Sequence, residues 1–451
     1  MPKESKVFRA RVGVKLSVAA AGYCATGWWT KQTIMPQASH ATFDGPLEAV
    51  RDVESAHPAV MAARVVHLTI YEDMAAVERL WRAFEQVADC TVFQSFDWLS
   101  TWWNHIGNPS GVVPAIVAGH DDQGRLLFMF PFGIETRRLT RRLTWLGTDR
   151  CDYNGPLLAV DFSAQVDAAH FARIWSDILQ SLQDRPRLRF DVVSLEKMPE
   201  CVGAQRSPFM AFAVTAHPDG AYLTDLADTW EAFYNAKRSS SIRKRDRYRR
   251  RKLSEFGDVA MKNPEAADDI VATLATLIEQ KSRAFAKMGV ANFFDAPGYR
   301  AFLYDLATNP RFRGLTHTSS LTVNSSMAAV NFGLQFRGRY YHLLASYDDS
   351  ELSRFGAGTL HLQELLQYAV EKGFKQFDFT IGDERYKSEW CDGETVLFDY
   401  VAPVTLRGGP GALKIDAVRR IKRFIKRTPA VWDVAAKVRA FIGPLMRWLR
   451  R

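Results

Sequence analysis

The stretch from His342 to Trp390 constrains the fold of this chain more than any other part of the sequence. Residues 340–344 alternate in the manner of a strand, and a polar loop leads to Gly356-Ala357-Gly358-Thr359. Apolar residues that recur with a period of about 3.6 predict a helix after this turn. Gly373 ends that helix, and residues 374–381 alternate again. The predicted order is strand, glycine turn, helix, strand.

The start of that helix is the chemically informative part of the unit. Backbone N–H groups are unpaired at the start of a helix, and the helix dipole is positive there. An anion is favoured at such a place, and glycines allow a phosphate to approach the backbone closely. A glycine turn is also common as simple punctuation between two elements, and the turn alone favours that structural interpretation.

The segment that closes the unit carries a resemblance to a known family. Residues 378–383 read Asp-Phe-Thr-Ile-Gly-Asp, and Tyr386-Lys387-Ser388-Glu389-Trp390 follow shortly after. Together with the glycine turn and the aromatic segment 93–103, they resemble the acyl-CoA N-acyltransferase superfamily (GNAT fold). Within it, the chain is most similar to the CelD-like proteins of cellulose biosynthesis and, more distantly, to the FemAB aminoacyltransferases. The resemblance extends from about Phe93 to Val401.

This resemblance implies an α/β (α+β) fold with two tandem GNAT-like halves. Each half is expected to have a central mixed, mostly antiparallel twisted sheet flanked by helices. The domain prediction has four parts: a disordered leader at 1–60, an N-terminal half at 61–225, a C-terminal half with the acyl-donor site at 226–405, and a basic amphipathic helical tail at 406–451.

The resemblance also implies where an acyl donor binds. In the superfamily, the CoA pyrophosphate lies on a loop written Gln/Arg-x-x-Gly-x-Gly/Ala before this helix. Gly356 and Gly358 match the glycine positions, Ser353 stands at the first position, and Arg354 follows it. We therefore expect acyl-CoA or acetyl-CoA as co-substrate, and no metal. The predicted donor-binding residues are Leu344, Ala345 and Ser346 beside the acyl group and Arg354, Gly356, Ala357, Gly358 and Thr359 at the phosphates.

Amine attack on a thioester needs a base and donors that stabilise the oxyanion. By the resemblance, the predicted catalytic residues are Asp383 as a carboxylate, Tyr386 as an acid for the leaving thiolate, and Lys387 as a cation for a substrate phosphate or carboxylate. Ordinary surface chemistry accounts for such residues nearly as well. His342 and His361 are tempting as bases, but a histidine on a strand or helix face is usually structural.

The loop from Trp145 to Pro156 is a predicted substrate contact. It is dense in hydrogen-bonding groups and lies next to aromatic residues, which is typical of a pocket wall. The family carries a similar Asp-Tyr loop, so we interpret Asp152, Tyr153 and Asn154 as substrate-binding; the alternative is a structural turn.

The positive charge of the chain is concentrated in two segments. The formal net charge is +9, whereas residues 237–252 alone hold ten Lys or Arg against one Asp. A solvated helix is the simple account of this segment, but its mutual repulsion favours a bound anion, with Arg243 as a predicted contact. RNA, the CoA 3′-phosphate, a nucleotide-linked sugar and an anionic lipid all fit. The second segment is the tail, where residues 413–427 mix apolar and basic positions in a pattern that fits either an anionic membrane surface or packing on the domain itself.

The use of cysteine suggests in which cellular compartment the protein lies. The five cysteines are scattered and show no CxxC spacing, which predicts free thiols in a reducing compartment and no zinc site. We therefore expect a cytoplasmic protein that can lie peripherally at the inner face of the membrane.

The sequence thus predicts an N-acyltransferase that moves an acyl group from acyl-CoA, or a related thioester, to an amine, in envelope or exopolysaccharide synthesis. One alternative is a non-catalytic GNAT-like module that binds a partner of polysaccharide synthesis. The other is a FemAB-like transferase that depends on aminoacyl-tRNA. Binding of CoA distinguishes the first hypothesis from the other two.

Overall fold

The structure is a computed structural model that describes residues 66–138, 140–382 and 384–428. Three predictions fall wholly or partly outside these residues. They are the leader at 1–60, the catalytic role of Asp383, and the part of the tail from 429 to 451.

The chain segment before residue 217 contains the first group of elements. Its strands are β1 (His67–Tyr71), β2 (Val113–His120), β3 (Leu126–Arg137), β4 (Thr140–Trp145), β5 (Leu157–Leu158), β6 (Val192–Pro199), β7 (Cys201–Val202), β8 (Gln205–Arg206) and β9 (Thr215–Ala216). Its α-helices are α1 (Met74–Glu85), α2 (Phe96–Trp102), α3 (Phe162–Gln165) and α4 (Ala168–Gln183).

The remaining elements follow residue 220. The strands are β10 (Ala221–Asp225), β11 (Val259–Lys262), β12 (Thr316–Val323), β13 (Ser326–Phe336), β14 (Arg339–Tyr347), β15 (Gln376–Ile381), β16 (Glu394–Thr395) and β17 (Leu397–Pro403). The α-helices are α5 (Trp230–Lys237), α6 (Ser240–Ser254), α7 (Ala267–Met288), α8 (Tyr299–Thr308), α9 (Ala357–Glu371) and α10 (Gly408–Arg427).

Two large twisted sheets organise the fold, and their strand orders correspond position by position. The first sheet runs β1-β2-β3-β4-β6-β17-β9, with β5 beside β3, and the second runs β11-β12-β13-β14-β15-β10-β16. Among the described strands, each of these sheets has a single parallel pair, β4 with β6 and β14 with β15. All other neighbours are antiparallel. The predicted architecture of two tandem, mostly antiparallel halves is confirmed.

Two strands are exchanged between the sheets. Strand β10 follows β9 in the chain but pairs with β15 and β16 in the second sheet. Strand β17 follows β16 but pairs with β6 and β9 in the first sheet. Residues 221–225, predicted to end the first half, therefore lie in the second sheet, and residues 397–403, predicted in the second half, lie in the first. Pairing across the sheets is non-local, so local alternation does not report it.

Three apolar clusters position the helices on the sheets. Helix α4 packs on the first sheet through Phe171, Ile174 and Trp175, and α9 packs on the second through residues such as Leu365. A third cluster draws on α1 and α2 from the first half and on α7 and α8 from the second. In it, the ring centroids of Trp98 and Phe302 are 5.0 Å apart. Burial of apolar surface across the two halves joins them into one core.

The aromatic segment 93–103 is part of that core, as its spacing predicts. Trp98 and Trp102 are 1% and 2% exposed. Ser95 accepts a hydrogen bond from the Trp98 amide and so caps the short helix α2.

Two further features concern the cysteines and the hydropathy of the helices. Cys90, Cys151 and Cys391 are free thiols, but Cys201 is disulfide-bonded, so the prediction of free thiols throughout is wrong at that position. In the described part of the chain, no helix has the length and hydropathy of a transmembrane span.

Candidate active site

A cavity opens where the parallel strands β14 and β15 part. Their pairing ends at Tyr341 and Asp378, although both strands continue beyond these residues. The cavity has a volume of about 260 Å³ and begins directly after the last paired residues. Its walls come from β14, β15, α7, the segment after β15 and the loop before β5. The lining residues are Arg150, Asp152, Lys281, Phe293, Tyr299, His342, Leu343, Leu344, Ala345, Phe379, Thr380, Ile381, Glu384, Tyr386 and Lys387.

A buried polar network lies at the point where the strands part. Asp378 is fully buried, and it accepts hydrogen bonds from the Tyr153 hydroxyl at 2.7 Å and from the Thr380 amide at 2.8 Å. Burial raises the pKa of Asp378, and the nearby guanidinium of Arg339 opposes that shift. Tyr153 thus ties the loop before β5 to strand β15, and it does not line the cavity.

Thr380 is the strained residue of the site. Its φ is 61°, in a region that β-branched residues rarely adopt, and the register of β15 against β10 shifts at this position. Strain of this kind persists where the surrounding structure enforces it, and it concentrates at functional sites. Thr380 and the following residue, Ile381, lie beside Asp152 and favour its ionised form.

Asp152 is a carboxyl group in the wall of the cavity. Burial raises its pKa, while the charges of Lys197 and Lys387 and the hydrogen bonds oppose the shift. A carboxyl group with a raised pKa is better matched to accepting a proton near neutral pH than an ordinary aspartate.

Lys281 enters the cavity from α7 and was not predicted from the sequence. Its Nζ donates a hydrogen bond to the Ala345 carbonyl at 3.1 Å. Burial lowers the pKa of Lys281, and the charge of Glu384 partly offsets this effect. The residue occupies a position on a long amphipathic helix, where a lysine normally indicates only a solvated face. No signal in the sequence distinguishes it from its neighbours.

Lys387 and Tyr386 form the opposite wall. Lys387 is 3% exposed and donates to the Ile381 carbonyl at 2.8 Å, and it forms an ion pair with Glu384 at 2.9 Å. Burial raises the pKa of Tyr386, so its hydroxyl remains a proton donor at neutral pH. Both residues are therefore placed to contact a ligand in the cavity.

The two histidines considered as bases are buried and neutral. Burial lowers the pKa of His342 and of His361 to about 3. His342 lines the cavity, whereas His361 pairs with Ser319 inside the second half. Neither imidazole is basic enough to deprotonate an ammonium group efficiently near neutral pH.

The glycine turn begins helix α9 as predicted. Gly356 has a φ of 73° and precedes the helix, whose first residue is Ala357. The side chain of Arg249, from α6, lies 3.4 Å from the place where a Cβ on Gly356 would stand. The ring of Tyr347, the last residue of β14, lies 3.2 Å from the corresponding place on Gly358. A guanidinium and the positive end of a helix therefore meet at this turn, which favours an anion.

The structure brings some of the predicted site residues together and separates others. Leu344, Ala345, Asp152, Tyr386 and Lys387 line the same cavity. Four predicted residues lie elsewhere. The Ser346 hydroxyl donates to Gln280 at 2.8 Å, and Arg354 is exposed and paired with Glu351. Arg243 donates to the Arg238 carbonyl at 2.6 Å, and Asn154 lines a different cavity.

Residues 240–388, within the second half, match the family model described as "Acetyltransferase (GNAT) domain". The CelD-like branch is not resolved by this match. Comparison with curated protein sequences gives no match.

Among solved structures, the crystal structure of FemX aligns with a TM-score of 0.50 and 10% identity over 74% of this chain and 97% of FemX. The C-terminal domain of a putative lysylphosphatidylglycerol synthetase from Agrobacterium fabrum aligns with a TM-score of 0.46 and 9% identity, covering 76% and 95% of the two chains. A tandem GNAT protein from the clavulanic acid biosynthesis pathway aligns with a TM-score of 0.41 and 9% identity, covering 75% and 98%. The FemX alignment shows a shared fold.

Proposed function

We propose that this chain, part of which matches a GNAT family model, moves an acyl group from acyl-CoA or a related thioester to an amine acceptor. The observation that carries the proposal is the charged cavity between the parted strands β14 and β15, on the same half as the glycine turn. The CelD-like resemblance of the sequence supports a role in envelope or exopolysaccharide synthesis.

The roles of the residues follow from their positions. Leu344 and Ala345 lie beside the acyl group, and Arg249 and the start of α9 hold the phosphates of the donor. The acceptor attacks as the neutral amine. As its nitrogen bonds to the thioester carbon and the carbon–sulfur bond breaks, Asp152 accepts the proton that this nitrogen loses, and Tyr386 protonates the leaving thiolate. Asp152 then releases its proton to solvent, and Tyr386 regains one from solvent. Lys387 binds an anionic part of the acceptor. Asp383 is a further carboxylate proposed for this segment.

Calorimetric titration of the purified protein with acetyl-CoA tests the donor. The wild type is expected to bind, and Gly358→Trp is expected to lose binding because the indole would fill the helix start beside Tyr347. Gly393→Trp is the matched control, since a Cβ at Gly393 meets nothing within 4 Å. If the wild type shows no heat with acetyl-CoA or longer acyl-CoA, the donor is carried by another molecule, such as an acyl carrier protein or aminoacyl-tRNA.

A second candidate function is a transferase that depends on aminoacyl-tRNA. The basic helix α6 supports this candidate. Its residues Lys244, Arg247 and Arg251 are exposed, and a line of cations of this kind matches a phosphate backbone. RNA binding that weakens steeply with salt, together with no heat from acyl-CoA, would favour this candidate. A protein that binds neither donor is the non-catalytic module.

Helix α10 supports a peripheral position at an anionic membrane surface. Leu413, Ile421 and Phe424 are 73%, 57% and 63% exposed and share one face. On the opposite face, Arg419 connects the helix to strand β17 of the first sheet, and its Nε lies 3.4 Å from Asp399. A helix that presents apolar residues flanked by cations to solvent is typical of interfacial binding. We accordingly propose a cytoplasmic protein at the inner face of the membrane.

A further inference from the structure

The first sheet has a parted strand pair of its own. Strands β4 and β6 pair in parallel only at Arg142 with Val192 and at Leu143 with Val193, although both continue further. A second cavity, of about 230 Å³, begins at this place. Its lining includes Arg142, Thr144, Asn154, Ser194 and Glu196.

The two cavities occupy equivalent places in the two sheets. Leu143 and Tyr341 are the last paired residues of β4 and β14. The next residues, Thr144 and His342, line the second and the first cavity. On the neighbouring strands, Ser194 and Phe379 follow the last paired residues and line the same two cavities. The second cavity is therefore a repeated feature of the architecture, and it is built from residues of different chemistry.

One loop contributes to both cavities. Arg150 and Asp152 line the cavity of the second half, whereas Thr148 and Asn154 line the cavity of the first half. Tyr153 anchors this loop through Asp378, and the Asn154 amide group donates to the Glu196 carbonyl at 3.1 Å. The loop is therefore fixed at both sides, which gives the second cavity a rigid wall.

Two buried polar groups of the second cavity lack a hydrogen-bond partner within the described ranges. The Nε of Arg142 is buried and has no hydrogen-bond partner among the described residues. Asn154 is 2% exposed, and its Oδ1 likewise has no partner in the described part of the chain. A buried donor or acceptor without a partner is unfavourable, so native proteins normally satisfy such groups. A ligand with an anionic acceptor and a hydrogen-bond donor would satisfy both.

The charges around the cavity narrow the class of ligand. Arg137 and Arg142 supply guanidinium groups, and Glu135 and Glu196 supply carboxylates in the same lining. Glu135 pairs with Arg137 and Glu196 pairs with Arg419, whereas the unpartnered atoms belong to Arg142 and Asn154. Burial and the charge of Arg137 lower the pKa of Arg142, and the two glutamates act against that shift. A zwitterion matches a lining of both signs, because it brings a carboxylate for Arg142 and an ammonium donor for Asn154 Oδ1. The volume is also below the range of about 300–1,000 Å³ for pockets of drug-sized ligands.

We propose that the cavity between β4 and β6 binds a small zwitterion of the free α-amino acid class. Arg142 receives the carboxylate of the ligand, and Asn154 Oδ1 and Glu196 receive its ammonium group. This site is separate from the proposed acyl-donor site and does not depend on the proposed transfer reaction.

Thermal-shift screening of the full-length protein with the standard free L-amino acids, followed by calorimetry, tests the proposal. At least one amino acid is expected to bind, and Arg142→Gln is expected to weaken it roughly tenfold or more because a charged hydrogen bond is lost. Arg173→Gln is the control for charge, since Arg173 is exposed on α4 and lies outside the lining of this cavity. The N-acetyl derivative and the amide of the same amino acid should each fail to bind, because each lacks one charge.

Several results would overturn the proposal. One is a wild type that binds none of the amino acids, and another is an Arg142→Gln variant that binds as the wild type does. Equal binding of acetate or inorganic phosphate would show a simple anion site. If Arg142→Gln unfolds early, Arg142→Lys replaces it, because a lysine keeps the charge but loses the bidentate geometry. The assignment would be contradicted if Arg142→Lys bound the amino acid as tightly as the wild type does. It would also be contradicted if acetyl-CoA displaced the amino acid.

Discussion

Asp152 determines the pH dependence that the proposed chemistry should show. Burial raises the pKa of Asp152, so this carboxyl group takes up a proton at a higher pH than an ordinary aspartate does. Because the proposed base acts in its ionised form, activity should be lost on acidification, with a midpoint at a higher pH than the pKa of an ordinary aspartate. Asp152→Asn should lower kcat by roughly 10²–10⁴-fold. The pH profile of kcat/KM for the wild type measures the midpoint, and an Asp152→Asn variant with unchanged kcat would exclude this role.

The buried Lys281 should lower the thermal stability of the protein and raise the rate of the proposed transfer. Its ammonium group is buried, and burial lowers the pKa of Lys281. Lys281→Met removes a buried charge and keeps the apolar stem, so we expect an unchanged or higher midpoint of thermal unfolding. The same change leaves the Ala345 carbonyl without its donor beside the proposed acyl group, and kcat should fall about tenfold. A lower unfolding midpoint with full activity would contradict both statements.

Single residues also mark the limit of sequence-based inference at this site. Asp152 and Lys387 lie in segments that resemble a family, so their positions could be anticipated. Lys281 lies on a regular amphipathic helix, and Arg142 lies in a basic hairpin strand, so each appears as ordinary surface charge. Only the parting of neighbouring strands gives them a buried environment, and that parting has no local sequence signature.

Among the elements, α10 allows a direct test of membrane binding. Replacing the exposed Ile421 and Phe424 with Glu should abolish flotation with anionic vesicles, because it removes apolar contact and adds negative charge. Val271→Glu is the control, since Val271 is 41% exposed on the remote helix α7. Flotation of the double variant at the wild-type level, or no flotation of the wild type, would contradict the proposed membrane contact.

Regular elements are the part of the fold that the sequence predicts well. The helix predicted between the glycine turn and Gly373 is α9 (Ala357–Glu371), and the strand predicted at 374–381 is β15 (Gln376–Ile381). Periodicity suffices for α9 because its apolar residues recur on the face that packs on the sheet. The sequence did not predict that β10 joins the second sheet and β17 the first. A short alternating strand carries no information about which sheet it joins.

At the scale of the whole molecule, the exchanged strands should keep the halves associated even when the chain is cut. A protease site inserted at residues 226–229, between β10 and α5, would break the covalent link between the halves. We expect the two fragments to elute together in size-exclusion chromatography, because β17 remains in the first sheet and β10 in the second. Thermal unfolding of the uncut protein should show one transition. Separate elution under native conditions would contradict the coupling.

The same exchange limits how this architecture can be shortened. A gene truncated to either half would encode a sheet with an open seam next to β6 or β15, where the borrowed strand belongs. Unpaired amides along such a seam recruit strands from other molecules, which leads to aggregation. A homologue that retains one half must therefore have acquired a strand of its own to close the seam.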